Sequence, residues 1–234
     1  MFVAEERQWW YVGMRAITDA LLGSATGSEG GRLLDAGCGT GNNLLHLGGR
    51  WRAVGVDLSE EALRFCRDRG VRVVGASLLK LPFGDGSFDC VTSFDVLYHR
   101  WITDDGAAVA ELARVLRPEG LLLVRVPALK MLWGAHDEAV HSRHRYTRGE
   151  VESLLRKVGL QVLRSSYANC FLFPLLATRR TLDRLTGRHG SDVQFLPPAL
   201  EWAFGGLLRL EARLVPHVSL PIGASVFALA RKPG

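Results

Sequence analysis

The chain has 234 residues, 47% of them hydrophobic, which is enough for one sizeable core and sets disorder aside. Its net charge of +5 is mostly arginine, interspersed with acidic residues, so no like-charge block argues for a nucleic-acid partner. The four cysteines, Cys38, Cys66, Cys90 and Cys170, form no CxxC pair and suit neither a zinc site nor a disulfide framework. Free thiols in a reducing cytoplasm are expected. The start lacks the apolar core of a signal peptide, and no apolar run is long enough to span a bilayer.

In chain order, residues 5–22 have an amphipathic helical period and carry Trp9, Trp10 and Tyr11. A Gly/Ser/Thr loop follows to Gly31. Arg32 to Asp35 reads as a short apolar strand entering a glycine turn, with a helix from Asn42 to Gly49. Ala53 to Asp57 is a second strand. Ser59 caps the next helix, with Glu60 and Glu61 at its positive end. Strands are expected at Val71 to Val74, Phe88 to Phe94 and Leu121 to Val126, with a helix from about Asp104 to Leu116. Residues 128–146 are a polar insertion rich in His, Arg and Trp. Thr147 and Glu150 have capping-box spacing. A strand at Leu160 to Leu163 precedes an apolar, helix-periodic stretch, 170–217, broken by Pro174, Pro197, Pro198 and Pro216. Ser225 to Ala230 closes the chain. Strands alternating with helices predict an α/β fold with a mostly parallel sheet covered on both faces. No repeat or linker divides the chain, so one domain is expected: an N-terminal helical lid (1–31), a core (32–127) and two insertions (128–146, 170–217).

One constellation carries chemistry. Asp35 ends the first strand, and Gly37, Gly39 and Gly41 follow at alternate positions. Glycines let the chain turn sharply and let a ligand approach the backbone, and the helix after the turn offers free N–H groups. Asp57, ending the second strand, is placed to bind two ribose hydroxyls. A plain tight turn with a solvated Asp57 is the alternative. The dinucleotide pattern G-x-G-x-x-G fails, because Asn42 stands where its third glycine belongs. Asp35 would repel a pyrophosphate but suits a cationic amino group, the polarity of a sulfonium nucleoside.

Leu33-Leu34-Asp35-Ala36-Gly37-Cys38-Gly39-Thr40-Gly41 resembles motif I of class I S-adenosylmethionine-dependent methyltransferases. Val54 to Ser59, Leu81 to Asp89 and Leu112 to Gly120 are similar to three further motifs of that family. The resemblance implies a seven-stranded Rossmann-like sheet whose last strand is antiparallel, with S-adenosylmethionine as cofactor. It places Gly37, Cys38 and Gly39 under the methionyl part, Asp57 on the ribose and Leu58 on the adenine. Ser77, with Leu78 beside it, stands where many relatives carry an Asp for the adenine amino group. Ser93 and Phe94 fall where relatives contact the sulfonium or methionyl end. The segment HDEAVHSRHRYT, with Glu6, Trp9, Trp10, Tyr11 and Arg15 before it and Pro221, Gly223 and Ser225 after it, resembles a bacterial subfamily of saccharide and secondary-metabolite pathways. Arg15 is expected to pair the methionyl carboxylate, beneath an aromatic lid.

The resemblance implies methyl transfer to an N or O atom of a small-molecule acceptor. The alternatives are a nucleic-acid methyltransferase and a non-catalytic binder of the cofactor. In-line displacement needs alignment and, for a hydroxyl, a base. His99, after the fourth strand, and His136, in the polar insertion, are the base candidates, with Asp137 fixing either the tautomer of His136 or the loop. A polar lid bonded to itself is the plain reading of 128–146. No third ligand accompanies His136 and His141 at a metal-binding spacing. Residues 170–217 are read as an acceptor pocket, a homodimer face or a membrane-surface element, which periodicity does not separate.

Overall fold

The structure, a computed structural model, describes residue 5, residues 7–25, 31–186 and 196–234. Its elements are α1 (Trp9–Ala25), β1 (Arg32–Ala36), α2 (Asn42–Gly48), β2 (Arg52–Asp57), α3 (Glu60–Asp68), β3 (Val73–Gly75), β4 (Phe88–Phe94), α4 (Asp105–Val115) and β5 (Leu116–Pro127). A 3-10 turn (Lys130–Leu132) follows, then α5 (Ala135–Ala139), α6 (Arg148–Lys157), β6 (Gln161–Ala168), α7 (Phe173–Thr186), α8 (Pro198–Leu214) and β7 (Ser225–Arg231). The expected loop 23–31 and insertion 170–217 lie partly outside the described residues, at 26–30 and 187–195.

The seven strands form one sheet in the order β3-β2-β1-β4-β5-β7-β6. The first five run parallel, and β7 is antiparallel to both β5 and β6. This is the expected Rossmann-like architecture. β1 is central and apolar on both faces, pairing Leu33 with Ala53 on one side and with Cys90 on the other. The strand order reverses beside β1, between β2 and β4. In open α/β sheets such a switch point opens a crevice at the strand C-termini.

Side-chain alternation along the strands feeds two cores. Leu34, Val91, Leu122 and Val124 face the α4 and α6 side. Leu33, Cys90, Leu123 and Phe227 face Met14, Ile17 and Leu21 of α1 and Leu208 of α8. Helices α1 and α8 pack so closely that a Cβ on Gly13 would overlap Leu208. Glu201 of α8 accepts the Trp9 N–H at 2.8 Å, satisfying a free donor at the start of α1. The N-terminal segment and the apolar C-terminal stretch thus form one layer. Both expected N-caps are present: Ser59 accepts from Ala62 N, and Thr147 and Glu150 make a reciprocal box.

The 128–146 insertion is fixed by its own charges. Asp137 and Arg145 are both buried and pair through Nε–Oδ1 (2.7 Å) and Nη2–Oδ2 (3.1 Å). Asp137 also caps α5 through Gly134 N, and Arg145 donates to the Ala128 carbonyl. Tyr146 is buried and donates to the Leu97 carbonyl, with Asp105 Oδ2 2.8 Å away. Removing one partner of a buried pair strands the other charge, at a cost of about 3–5 kcal/mol. Asp137→Ala should therefore lower Tm by roughly 10 °C, whereas Asp137→Leu combined with Arg145→Met should recover part of the loss. Calorimetric unfolding of the three variants checks this; an Asp137→Ala protein as stable as wild type would show the pair to be incidental.

Candidate cofactor and acceptor site

The glycine turn sits at the C-terminal edge of β1. Gly37, Gly39 and Gly41 all have positive φ (83°, 52° and 80°), the region that favours glycine. At Gly37 a Cβ would also run into Val96, whereas at Gly39 it would meet nothing within 4 Å, leaving that backbone open to a ligand. Gly37 N and Cys38 N both donate to the Val56 carbonyl, tying the turn to β2. Asp57 completes the tie: Oδ2 accepts from Gly39 N and Oδ1 from Ser59 N, each at 2.9 Å. Each oxygen keeps a lone pair for a ribose hydroxyl.

Gly37, Asp57, Leu58, Ser77, Leu78, Val96, His99, Trp101 and Ile102 line a cavity of about 50 Å³ beside this turn. Leu58 is 52% exposed, an apolar surface held open at its edge. Ser77 Oγ accepts from Leu79 N at 3.2 Å, which orients the loop, and Leu78 is buried beneath it. Asp35 lies behind the turn, 1% exposed; Thr92 donates to its Oδ1 at 2.8 Å, and Oδ2 has no partner. Burial pushes the Asp35 carboxyl up to about 6, against the Thr92 hydrogen bond and Arg125, which lower it. A larger hollow of about 710 Å³, lined by Arg32, Trp51, Arg52 and Phe88, lies at the strand N-termini, away from the switch point and without a glycine turn.

The expected site residues divide into groups. Gly37, Gly39, Asp57, Leu58, Ser77 and Leu78 gather around the turn and cavity. Cys38 is buried under it, 3.9 Å from Cys66 Sγ. Ser93 is buried with its hydroxyl unpartnered. Phe94 points to the opposite face, packing on Phe227 and on the Arg125 guanidinium. Arg15 donates to the Glu5 carbonyl at 2.7 Å. His99 stands on the cofactor-cavity wall; its Nδ1 accepts from Trp101 N at 3.2 Å, assigning the ring proton to Nε2 in the neutral form. Burial, then His141 and Arg100, hold its pKa below the ordinary value. His136 is half-buried on α5. Asp137 does not fix its tautomer: the carboxylate is taken up by Arg145 and Gly134, so it fixes the loop.

Sequence reasoning missed three residues here. Glu5 is buried, bonds to Thr40 of the glycine turn and pairs with Arg69 at 3.5 Å, laying the N-terminal segment on the turn. Asp95, with φ 55°, follows β4 and accepts both Nε (2.8 Å) and Nη2 (2.6 Å) of Arg125 on one oxygen. A charged residue inside the apolar run Leu121 to Val126 was the available signal for Arg125.

Residues 34–124 match the family model described as a methyltransferase domain. Over 193 residues the chain is 32% identical to a Mycobacterium tuberculosis protein named a probable S-adenosylmethionine-dependent methyltransferase, covering 79% of this chain and 65% of that one. The chain thus spans a little under two thirds of that relative's length. It is 34% identical over 111 residues to an Arabidopsis thaliana tRNA (carboxymethyluridine(34)-5-O)-methyltransferase, covering 47% of this chain and 26% of that one. It is 36% identical over 104 residues to a Mycolicibacterium smegmatis fatty-acid O-methyltransferase, covering 41% and 36%. The fold is shared with Haemonchus contortus phosphoethanolamine N-methyltransferase 2, solved with S-adenosyl-L-methionine, at a TM-score of 0.63 and 17% identity, over 94% of this chain and 53% of that one. Residues 34–124, which carry the glycine turn and Asp57, thus match a methyltransferase domain, and the fold around them is shared with a protein solved with S-adenosyl-L-methionine.

The residues fit that cofactor: an unpartnered buried carboxylate oxygen behind the turn, an open backbone at Gly39 and an exposed leucine after the ribose aspartate. The sign of the Asp35 shift gives a test. The unfolded value is about 3.9, so burial of Asp35 favours the native state at low pH, and this is lost as pH rises toward about 6. A cationic methionyl amino group favours the carboxylate instead. S-adenosylhomocysteine affinity should therefore weaken as pH falls below about 6, and Asp35→Asn should flatten the profile. Calorimetry across this range measures it; a wild-type affinity flat from about pH 8 to about pH 5 would place Asp35 outside reach of the amino group.

Proposed function

We propose that this chain transfers the methyl group of S-adenosylmethionine to a nitrogen or oxygen of a small-molecule acceptor, a secondary metabolite or a saccharide. The observation that carries the reading is the braced turn: three positive-φ glycines tied to an aspartate that keeps free lone pairs beside an exposed leucine. Bound there, the cofactor supplies an electrophilic methyl on a sulfonium. The protein's part is to grip, align and exclude water. Asp57 would hold the ribose, Leu58, Ser77 and Leu78 the adenine, and Gly37, Cys38 and Gly39 the methionyl chain with Arg15 at its carboxylate. Ser93 and Phe94 would back the sulfonium end, Phe94 indirectly through Arg125.

A hydroxyl acceptor also needs its proton removed. His99 and His136 are the proposed bases. The lowered pKa of His99 keeps its ring neutral near pH 7, and its Nδ1 bond leaves Nε2 as the ring atom facing other partners. The backbone of 98–100 pairs with 141–143, so both histidines belong to one roof over the strand edge.

A second reading, a nucleic-acid acceptor, is favoured by the tRNA-modifying relative. The interspersed surface charge favours the first. We also infer a cytoplasmic setting, supported by four free cysteines. A homodimer is inferred through α7 and α8, supported by exposed Leu175, Leu182, Leu185 and Trp202. No helix of the described residues is long and apolar enough to cross a membrane.

The test is release of S-adenosylhomocysteine with panels of small hydroxyl and amine compounds and with tRNA transcripts in parallel. With a hydroxyl acceptor, replacing the true base by Ala should lower turnover by roughly 10²–10⁴-fold with cofactor affinity unchanged. With an amine the loss should be smaller. Full activity of both His99→Ala and His136→Ala would leave alignment as the whole mechanism, and turnover of tRNA alone would replace the small-molecule reading.

A further inference from the structure

Beyond the glycine turn, the C-terminal edge of the sheet carries a strip of paired charges. Glu5 faces Arg69, Asp95 faces Arg125, and Asp137 faces Arg145, at 3.5, 2.6 and 2.7 Å. Arg125 is clamped between the rings of Trp10 and Phe94, each 5.0 Å from its guanidinium carbon. Tyr11 stacks edge-on against Trp10, with ring centroids 4.9 Å apart. Trp10 thus joins Tyr11 to the Asp95–Arg125 pair. Tyr98 follows Asp95 by three residues, and its carbonyl accepts from Arg143 N of the insertion at 2.7 Å.

Their surroundings register in both phenols. Burial, then Glu5 and Asp95, push the Tyr11 hydroxyl up to about 12. Burial, then Asp95 and Asp137, push Tyr98 up as well. Both therefore stay protonated, as donors. Neither hydroxyl has a hydrogen-bond partner among the described residues, and Asp95 uses only Oδ2 for Arg125. The strip thus offers two phenol O–H groups and one carboxylate oxygen, beside the turn that takes the cofactor.

We propose that Tyr11, Asp95 and Tyr98 form the acceptor subsite, and that it selects an uncharged, hydroxyl-bearing acceptor. Every carboxylate of the strip already faces a guanidinium. A charged acceptor would have to break one of these pairs or be desolvated without a counterion. A hydroxyl can both donate to Asp95 Oδ1 and accept from a tyrosine, so it satisfies both kinds of free group at once. Asp95 is then a positioning, hydrogen-bond-accepting partner of the acceptor, held in place by Arg125 and the aromatic clamp.

This inference rests on the methyltransferase reading, and the test separates the two. The protein is loaded with S-adenosylhomocysteine, whose binding is measured first by calorimetry. Saturation-transfer NMR then follows three probe sets: methyl glycosides and simple phenols, primary alkylamines, and alkyl carboxylates. The inference expects binding from the hydroxyl set only. Tyr98→Phe and Asp95→Asn, which keep shape, should each weaken that binding about tenfold while leaving S-adenosylhomocysteine affinity unchanged. Loss of S-adenosylhomocysteine binding in the wild type would defeat the methyltransferase reading itself. Normal cofactor binding with no hydroxyl probe bound, with amines or carboxylates preferred, or with hydroxyl binding indifferent to both variants, would overturn the inference alone.

Discussion

The carboxylate of Asp57, shared between the N–H groups of Gly39 and Ser59, is the tie on which the site depends. It joins the end of β2, the glycine turn after β1 and the start of α3. Charge-assisted bonds of this kind are stronger than neutral ones and hold a turn that no residue with a Cβ could adopt at Gly37. Once the turn is held, its open backbone at Gly39, the exposed Leu58 and the buried Asp35 fall around one space. The N-terminal segment then closes on the same turn through Glu5, which reaches Thr40 and Arg69.

The second constraint is electrostatic. Burying charge at a strand edge is costly unless each charge is matched. Here the matched pairs also build the roof: Asp137 with Arg145 fixes the insertion, and Asp95 with Arg125 fixes the end of β4 beneath Trp10. Backbone pairing of residues 98–100 with 141–143 joins the two loops. The charges of the roof are spent on one another, and the two phenol hydroxyls and Asp95 Oδ1 left on it suit recognition by hydrogen bonding.

The sheet and the glycine turn were legible in the sequence because both are local. Apolar runs bounded by turns mark strands, and alternate glycines after an acid mark one kind of turn. The α1–α8 layer was not legible, since Gly13 meets Leu208 and Trp9 meets Glu201 across nearly the whole chain. The polar insertion reads from sequence as a lid bonded to itself or as a source of bases, and much of it is bonded as scaffold: Arg145 clamps Asp137 and Tyr146 anchors to Leu97. Strand alternation sends the adjacent Ser93 and Phe94 to opposite faces, so Phe94 packs on Phe227 and Arg125. Asp95 carries no motif; its role comes from what the fold sets beside it, Arg125 and the ring of Trp10.

The central claim is that the Asp35–Gly41 turn, braced by Asp57, is built for a sulfonium nucleoside and not for a dinucleotide. Calorimetric titration of wild type and Asp57→Ala with S-adenosylhomocysteine and with NAD tests it most directly. The account predicts a single wild-type site for S-adenosylhomocysteine of micromolar order, about −8 kcal/mol. It predicts a loss of about 2–3 kcal/mol in Asp57→Ala and no heat from NAD. Binding of NAD in place of S-adenosylhomocysteine, or an Asp57→Ala protein that binds S-adenosylhomocysteine as tightly as wild type, would contradict it.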